Sequence, residues 1–496
     1  PVITSPFWKS PNVVSSNNKH KSRISSLINI IDKTVTTLGK RYLTYSILNP
    51  IIDSGKIENI YDIVTSYQCK HDDFKIYEKI QSILKCVSDI QKLHRKMAIK
   101  KMQPYDFISL DLSYNCINEL IQFLHEAVAY KLLDTFPDTE SIESFNSYIS
   151  DYHSKIKMNE ILGVNLNTIK NSFFKKGVYS DIDDVQDKID IHKSYFTDLA
   201  KEIGLLIDNT GKTVVDVKYS DKEDYYLSVT KTRSKILSSE IKKNPDKIIV
   251  CKNGKETVKL SDLDLKNTAT QCKIFSGQIK QNSHLRVTYE NRIKSMCSDR
   301  FSELLQNYHE LYCSTLDKIC KFVSQVDYIA CIAKVSLENG YTRPIINNNN
   351  ENSYINAKDL RHPIIEILNK EVQYVPNDVL LGKDDSNGML LYGVNAVGKS
   401  SYMKSIGLSI IMAQSGFFVP ATEFIFKPYH HLFTRISGND NIFKNQSTFA
   451  VEMEELRAIL KRGNNKSLVL GDELCSGTET TSGLALVTAG VVKLSS

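Results

Sequence analysis

Residues 393–400 have the composition and spacing of a phosphate-binding loop. The run Gly393-Val394-Asn395-Ala396-Val397-Gly398-Lys399-Ser400 matches G-x-x-x-x-G-K-[ST] at every fixed position. The two glycines let successive backbone N–H groups point at one anion, and Lys399 adds a mobile ammonium group. The Ser400 hydroxyl is of the kind that ligates Mg²⁺ beside a nucleotide. The pattern favours a nucleotide site over a glycine-rich turn that matches by chance.

The residues on either side of the loop predict a strand and a helix. Met389–Tyr392 is a short apolar run, which indicates a buried strand. Residues 401–414 place Met403, Ile406 and Ile410 on one face and are followed by Gly416, which predicts a helix.

A second apolar strand is expected to bring acidic residues to the loop. Residues 467–471 are mostly apolar and lead directly into Asp472 and Glu473. Asp472 is predicted to hold Mg²⁺ through its water shell, and Glu473 to act as the general base that polarises the attacking water. An Asp-Glu pair also occurs at solvated strand ends, but its place after the phosphate loop favours the catalytic interpretation.

Ser447 lies between these two elements and precedes a helical pattern. Its side chain is suited to cap that helix, whose N-terminus would attract an anion. This order of anion sites is similar to that of ABC-type ATPases, in which the second helix completes the nucleotide site of a neighbouring subunit.

The composition is that of an ordinary soluble protein of about three domains. The chain has 496 residues, 41% hydrophobic and 24% charged, with a net charge of +6. Its ten cysteines show no metal-ligand spacing, which argues against zinc and for reduced thiols in an intracellular, reducing compartment. The cysteine pattern is equally compatible with the cytoplasm, the nucleus, an organelle and a viral factory. No apolar run is long enough to span a membrane. Residue 1 is Pro, so we expect a fragment or a processed product.

Periodicity divides the chain into helical and β-rich parts. Gln278 to Asn339 contains neither Gly nor Pro, and its apolar residues recur every seven, which predicts one long helix with a coiled-coil-like face. Short β-rich runs and the turn signal Asn253-Gly254 predict a small β-containing module before it. The predicted domains are a disordered or linking segment (1–22), an all-α core with long lever helices (23–207 and 286–344), a clamp at the lever tip (208–285) and an α/β domain (356–496).

The clamp segment is strongly basic. Residues 231–259 hold nine Lys and Arg against three Asp and Glu. At the tip of a lever this charge favours contact with nucleic-acid phosphates, although a solvated helix face is the alternative. The predicted DNA contacts are Lys231, Arg233, Lys235, Lys242 and Lys243.

Taken together, these motifs resemble those of the MutS family of DNA mismatch-repair ATPases. The matching runs are 360–363 (Leu-Arg-His-Pro), 393–404, 433–436 with Asp440, 447–453 and 470–478. A weaker likeness covers 34–50 of the core and 224–226 of the clamp, so the resemblance extends over about residues 24–496. It implies that the α/β domain is an ABC-type P-loop ATPase.

The resemblance also implies partners and residue roles. It implies that the protein binds ATP or ADP with Mg²⁺, that it binds mismatched double-stranded DNA, and that it forms a homodimer or a MutS-like heterodimer. In such a dimer, ATP binding would close the two ATPase domains, and the levers would relay this closure to the DNA-holding tips. Tyr374 would stack on adenine, Ser447 would act in trans on the partner's γ-phosphate, Ser400 and Asp472 would hold Mg²⁺, and Lys399 and Glu473 would be catalytic. The remaining predicted nucleotide contacts are Gly393, Asn395, Ala396, Val397, Gly398 and Ser401.

Two other functions stay open on sequence alone. A MutS-like tether for recombination or junction binding would lack the family's mismatch-reading Phe-x-Glu, and the match at Phe301-Ser302-Glu303 lies on the heptad seam, where Phe301 is expected to be core. A chromosome-structuring ABC ATPase would need far longer arms. The family's switch histidine and dimerisation region would follow residue 496, so this piece is expected to be a weakly active or inactive ATPase.

Overall fold

The computed structural model describes residues 2–3, 26–71, 73–127, 129, 133–208, 214–251, 257–368, 374–384, 386–394, 397–435, 448–472 and 480–495. These residues form two compact units. The first unit comprises residues 1–91, 112–139 and 317–496, and the second comprises 92–111 and 140–316. Of the predicted linker 1–22, only residues 2–3 are described.

The helices of the described residues follow one another along most of the chain. They are α1 (Leu27–Ile31), α2 (Thr37–Leu48), α3 (Ser54–Gln68), α4 (Ile76–Leu84), α5 (Ile90–Ala98), α6 (Asp106–Glu126), α7 (Thr139–Lys155), α8 (Ser180–Ile207), α9 (Lys231–Lys243), α10 (Gly277–Asn339), α11 (Ile365–Leu368), α12 (Lys399–Gln414), α13 (Thr448–Arg462) and α14 (Thr480–Ser495).

The strands are short and form small sheets. They are β1 (Val2–Ile3), β2 (Lys70–His71), β3 (Phe74–Lys75), β4 (Asp216–Ser220), β5 (Asp224–Thr230), β6 (Ile248–Val250), β7 (Thr257–Lys259), β8 (Asp264–Asn267), β9 (Gln271–Phe275), β10 (Ile345–Ile346), β11 (Ile355–Leu360), β12 (Asn377–Leu381), β13 (Glu423–Phe426), β14 (His431–Arg435) and β15 (Ser467–Gly471). The protein is therefore multidomain and mostly helical.

Helix α10 confirms the long helix predicted from the absence of Gly and Pro. It runs without interruption over 63 residues. Its heptad positions Phe301, Tyr308, Phe322 and Ile329 are at most 2% exposed. Phe301 packs edge-on against the Phe107 ring, with the centroids 6.0 Å apart. The heptad residues are thus part of the hydrophobic core, as was expected for Phe301, and their burial removes a continuous apolar stripe from water.

The β-rich part of the second unit has a hydrophobic core of its own. Its sheet has the antiparallel order β4-β5-β9-β8, and β6 pairs with β7 as the predicted hairpin. The turn residues Asn253-Gly254 lie outside the described residues. The cluster that fills this core draws on α8, the strands, α9 and the start of α10, and includes Phe196, Leu199, Ile203, Leu227, Leu237, Ile249, Val258, Leu260, Ile274 and Ile279.

In the first unit, the carboxy-terminal part contains two sheets and the helices α11 to α14. Strands β14 and β15 are parallel, with Arg435 opposite Gly471. The other sheet has the order β10-β13-β11-β12. Helix α12 is almost wholly enclosed, since residues 405–414 are all buried. A helix that is apolar on every side needs neighbours on every side, and this fixes the position of its first turn.

The buried strand predicted at Met389–Tyr392 is not formed. These residues lack strand pairing in the structure, and Leu390 and Tyr392 are 85% and 90% exposed. An apolar run becomes a strand only where a neighbour supplies hydrogen bonds to its backbone, and no described strand pairs with this one. The prediction relied on hydropathy alone and was wrong for this chain.

Among the described residues, no helix has the length and hydropathy needed to cross a membrane.

Candidate phosphate-binding site

Helix α12 begins at the lysine of the phosphate-loop motif. The residue before it, Gly398, has φ +105°, and Gly393 has φ +154°. L-residues with a side chain rarely adopt these values, so both motif glycines are required by the backbone. The Lys399 ammonium donates to the Gly393 carbonyl oxygen and to that of Val394, the latter at 3.2 Å. Lys399 therefore binds the backbone of the first two residues of the motif.

The second residue of α12 meets the predicted acidic strand end. The Ser400 Oγ donates to Asp472 Oδ2 at 2.7 Å, across 72 positions in the sequence. Asp472 directly follows β15, and its backbone N–H donates to the Arg435 carbonyl oxygen at 2.7 Å. The parallel pairing of β14 and β15 therefore sets the position of the carboxylate. The structure brings together the hydroxyl and the carboxylate that were both predicted to hold Mg²⁺.

Tyr402, at the end of the first turn of α12, connects that turn to the segment that carries Tyr374. The Tyr402 hydroxyl donates to the Asp378 carbonyl oxygen at 2.7 Å and contacts the Met389 sulfur at 3.7 Å. Asp378 lies in β12, four residues after Tyr374. Tyr402 thus links both sides of the site through one side chain.

Tyr374 lies beside a buried histidine. The His362 and Tyr374 ring centroids are 6.4 Å apart. His362 is 4% exposed, and its Nδ1 accepts from the backbone N–H groups of Ile364 and Ile365 at 3.2 and 3.3 Å. Burial lowers the pKa of His362 to about 4, which keeps the ring neutral and able to accept these bonds. Burial also raises the pKa of Tyr374.

The predicted DNA contacts of the clamp share helix α9. Successive helical residues are rotated by about 100°, so Lys231, Lys235 and Lys242 lie within about 40° of one another. All three are exposed, while Ser234 and Leu237, about 60° and 120° around the helix from Lys231, are buried.

The other two predicted DNA contacts, Arg233 and Lys243, are less accessible to a ligand than these three lysines. Arg233 is half-buried, and the Lys243 ammonium pairs with Glu240 at 3.1 Å. The helix therefore presents one clear basic stripe of three lysines.

Two family models match this chain. MutS domain III matches residues 10–333, and MutS domain V matches residues 389–496. The chain belongs to the MutS family.

Individual relatives agree with this membership. A DNA mismatch repair protein mutS homolog of Acanthamoeba polyphaga mimivirus is 35% identical over 98% of this chain and 47% of its own length. A mitochondrial DNA mismatch repair protein mutS homolog of Sarcophyton glaucum is 27% identical over 96% of this chain and 46% of its own. DNA mismatch repair protein MutS of Clostridioides difficile is 28% identical over 95% of this chain and 45% of its own length. The chain thus spans about half the length of these relatives.

Within the MutS domain V match, the structure places some predicted residues and not others. Lys399 contacts Gly393, and Ser400 contacts Asp472. Ser401 lies in the first turn of α12, half-buried, and Val397 is 63% exposed. The predicted residues that fall outside the described ones are Asn395, Ala396, Ser447 and Glu473. Helix α13 does begin at Thr448, the position after Ser447.

Two residues that the structure puts in this site have no separate role in the sequence patterns. Tyr402 and His362 stand out there only as members of motifs that resemble the MutS family. No hydropathy pattern singles them out, since Tyr402 stands among serines and lysines and His362 lies between Arg361 and Pro363. Their contacts, however, join segments that hydropathy treats as unrelated. No cluster of three potential metal-ligating side chains occurs among His, Cys, Asp and Glu of the described residues.

Proposed function

We propose that this chain is the core, clamp and ATPase portion of a MutS-type DNA mismatch-repair protein, an ATPase that acts as an ATP-switched clamp on DNA. The observation that carries the proposal is the Ser400–Asp472 contact of 2.7 Å at the N-terminus of α12. It joins the phosphate loop to the end of a parallel strand, as a P-loop ABC-type ATPase domain requires. The names of the relatives, all mismatch repair proteins, favour repair over a tether for recombination.

The residues present suit a magnesium nucleotide. A hydroxyl and a carboxylate oxygen are the hard ligands that Mg²⁺ prefers, and Ser400 and Asp472 would hold it. When bound, Mg²⁺ neutralises charge on the phosphate oxygens. Lys399 would exchange its bonds to the Gly393 and Val394 carbonyl oxygens for bonds to phosphate. Tyr374 would offer its ring to adenine, with Tyr402 fixing the distance between base and phosphates.

Two further roles rest on the likeness to the MutS family. Glu473 would act as the general base toward water, since it follows Asp472 at the strand end. Ser447, before the N-terminus of α13, would reach the nucleotide of a partner subunit, which makes a dimer the active form. None of the cysteines that the structure describes is in a disulfide, and we propose a reducing intracellular compartment for the protein.

The metal part of the proposal predicts a specific loss. In the parent chain, Mg²⁺ should tighten binding of a non-hydrolysable ATP analogue. In Ser400→Ala and in Asp472→Asn, most of that gain, about tenfold, should disappear because each change removes one oxygen ligand or its charge. Calorimetric titration with Mg²⁺ and with a chelator measures it.

The matched control is Ser409→Ala on the same helix. Ser409 is fully buried, and its hydroxyl has no partner among the described residues. Its loss should leave the Mg²⁺ dependence unchanged. Equal Mg²⁺ dependence in parent, Ser400→Ala and Asp472→Asn would refute the assignment of these two residues.

The clamp is proposed to hold duplex DNA through the basic face of α9. Neutralising Lys231, Arg233, Lys235 and Lys242 should weaken binding about equally for matched and mismatched duplexes, because these side chains reach phosphates and do not read bases. The slope of log K against log salt should fall by about 0.9 for each phosphate group that the variant no longer binds. A salt titration of DNA affinity with the full-length protein measures both effects.

A charge-matched control separates local binding from net charge. It neutralises three exposed lysines and one exposed arginine elsewhere in the chain, namely Lys85, Lys92, Lys101 and Arg95. If the control lowers the salt slope as much as the α9 variant, the effect is one of overall charge. A loss confined to mismatched DNA would instead place base or shape readout in this helix.

A further inference from the structure

The C-terminal end of α12 is held by three other parts of the first unit. The last carbonyl groups of a helix have no partner inside the helix and usually face water or a cap. Here the Ala413 carbonyl oxygen accepts from the Tyr61 hydroxyl of α3 at 2.7 Å, and the Ser415 carbonyl oxygen accepts from the Tyr328 hydroxyl of α10. The Gln414 carbonyl oxygen accepts from the backbone N–H of Ile51 at 2.7 Å. Each of these acceptors is bound by a different element.

The side chain of Gln414 adds a second set of bonds at the same place. Its Nε2 donates to the carbonyl oxygens of Ile51 and Tyr429 at 2.8 and 2.9 Å, and its Oε1 accepts from the Tyr429 N–H at 3.0 Å. Gln414 has no exposed surface. A buried amide whose hydrogen bonds are all made to backbone groups fixes those groups relative to the helix.

The residues that follow the last turn of α12 are packed so closely that the helix has little space to slide along its axis. Gly416 has φ +84°, and a Cβ there would lie 2.5 Å from Ile60 Cγ2 of α3. The Phe417 ring meets the Tyr328 ring at 5.8 Å, and the Phe418 ring meets that of Tyr61 at 6.0 Å. The two tyrosines that hold the carbonyl groups are therefore themselves enclosed by the residues that follow α12.

The same turn of α10 also holds the start of α2. Asp327, next to Tyr328, accepts from the backbone N–H of Thr36 at 2.8 Å and from that of Val35 at 3.1 Å. One turn of α10 thus binds both the end of α12 and the beginning of α2. Helix α10 then leads back along the chain to the segment that carries the basic clamp helix.

We propose that this contact, which we call the α12 socket (Tyr61, Tyr328, Ile51 and Tyr429 around Gln414), transmits nucleotide binding at the first turn of α12 to α10 and to the α2–α3 region. The proposal rests on the proposed nucleotide site and assigns the route of its regulation. The helix has 16 residues, about 24 Å in length. It carries Lys399 and Ser400 at one end and the socket at the other.

The physical argument is that a short, enclosed helix moves as a body. A buried hydrogen bond that is broken and not replaced leaves its donor and acceptor unsatisfied, so the groups of the socket follow the helix when its first turn shifts. A ligand can bias only an element that has two arrangements, and α12 contacts both the ligand site and α10. Tyr61 and Tyr328 are positioning residues in this scheme, since neither touches the phosphate loop.

The test removes the two hydroxyl groups and keeps the rings. The double variant Tyr61→Phe with Tyr328→Phe frees two carbonyl groups of α12 while preserving the aromatic packing. The control is Tyr67→Phe, on α3 like Tyr61, because Tyr67 is fully buried and its hydroxyl has no partner among the described residues. Hydrogen exchange followed by mass spectrometry is measured on this chain with and without saturating Mg·ADP.

In the parent and in Tyr67→Phe, Mg·ADP should slow exchange at residues 399–403 and also at residues 46–62 and 320–335, the latter by about fivefold. In the double variant, Mg·ADP should still protect 399–403, with an affinity within about threefold of the parent, while the remote protection disappears. Remote protection that is absent in the parent, or unchanged in the double variant, overturns the proposal. Absence of any nucleotide binding by calorimetry would instead contradict the proposed function.

Discussion

Replacing Lys399 by Ala is expected to abolish measurable nucleotide binding. Lys399 is the cation of the phosphate loop, and its ammonium already lies against the loop backbone at Gly393 and Val394. Charge-assisted hydrogen bonds contribute about 1.5–3 kcal/mol each, so the loss of two corresponds to a factor of about 100 or more in affinity. Calorimetric titration with ATP and Mg²⁺ measures this directly.

The control for this variant is Lys358→Ala. Lys358 lies in the same unit and pairs with Glu423 at 2.9 Å, but both side chains are largely exposed. Its removal changes the net charge by the same amount without touching the loop. Equal ATP affinity in Lys399→Ala and the parent would remove the basis for a phosphate site at residues 393–400.

Gly39→Ala is expected to destabilise the first unit by about 3 kcal/mol or more. A Cβ at this position would lie 2.1 Å from Asp327 Oδ2 and 2.5 Å from its Cγ. Asp327 has no exposed surface and also accepts from the Thr36 hydroxyl at 2.6 Å. Moving the carboxylate would leave buried donors at the N-terminus of α2 without an acceptor, and leaving it in place would force a clash.

The matched control is Gly277→Ala. A Cβ at Gly277, the first residue of α10, would meet no atom within 4 Å. We expect that variant to unfold at the same denaturant concentration as the parent, while Gly39→Ala unfolds earlier, as followed by far-ultraviolet circular dichroism. Coincident unfolding curves for Gly39→Ala and the parent would show that α2 and α10 can separate without cost.

The features that sequence predicted well are those set by local rules. The phosphate loop is a contiguous motif, and Gly398 has the positive φ that its glycine implies. The extent of α10 followed from 62 residues without a helix breaker, and the position of Asp472 directly after a strand followed from the apolar run before it. These are properties of neighbours in the chain, for which spacing and residue type carry the information.

The features that sequence missed depend on distant parts of the chain. Met389–Tyr392 has the hydropathy of a strand, but a strand needs a partner that hydropathy does not supply. The α12 socket joins Gln414 to Ile51, residues 363 positions apart, and Tyr61 to Ala413, 352 positions apart. A glutamine and two tyrosines have no periodic signal, so no pattern in the sequence could pair them.

The shared core of the clamp decides how this protein can be divided into pieces. Its cluster includes Tyr195 and Ile203 of α8 and Ile279 of α10, with Val287 packed against it. A fragment cut at 208 and 285 would carry the basic helix but lose the five buried residues that α8 contributes to this core, and we expect it to be unfolded and prone to aggregate. A fragment that carries the basic helix and folds by itself would have to start before Tyr195 and continue past Val287, taking the two flanking helices as part of the same folding unit.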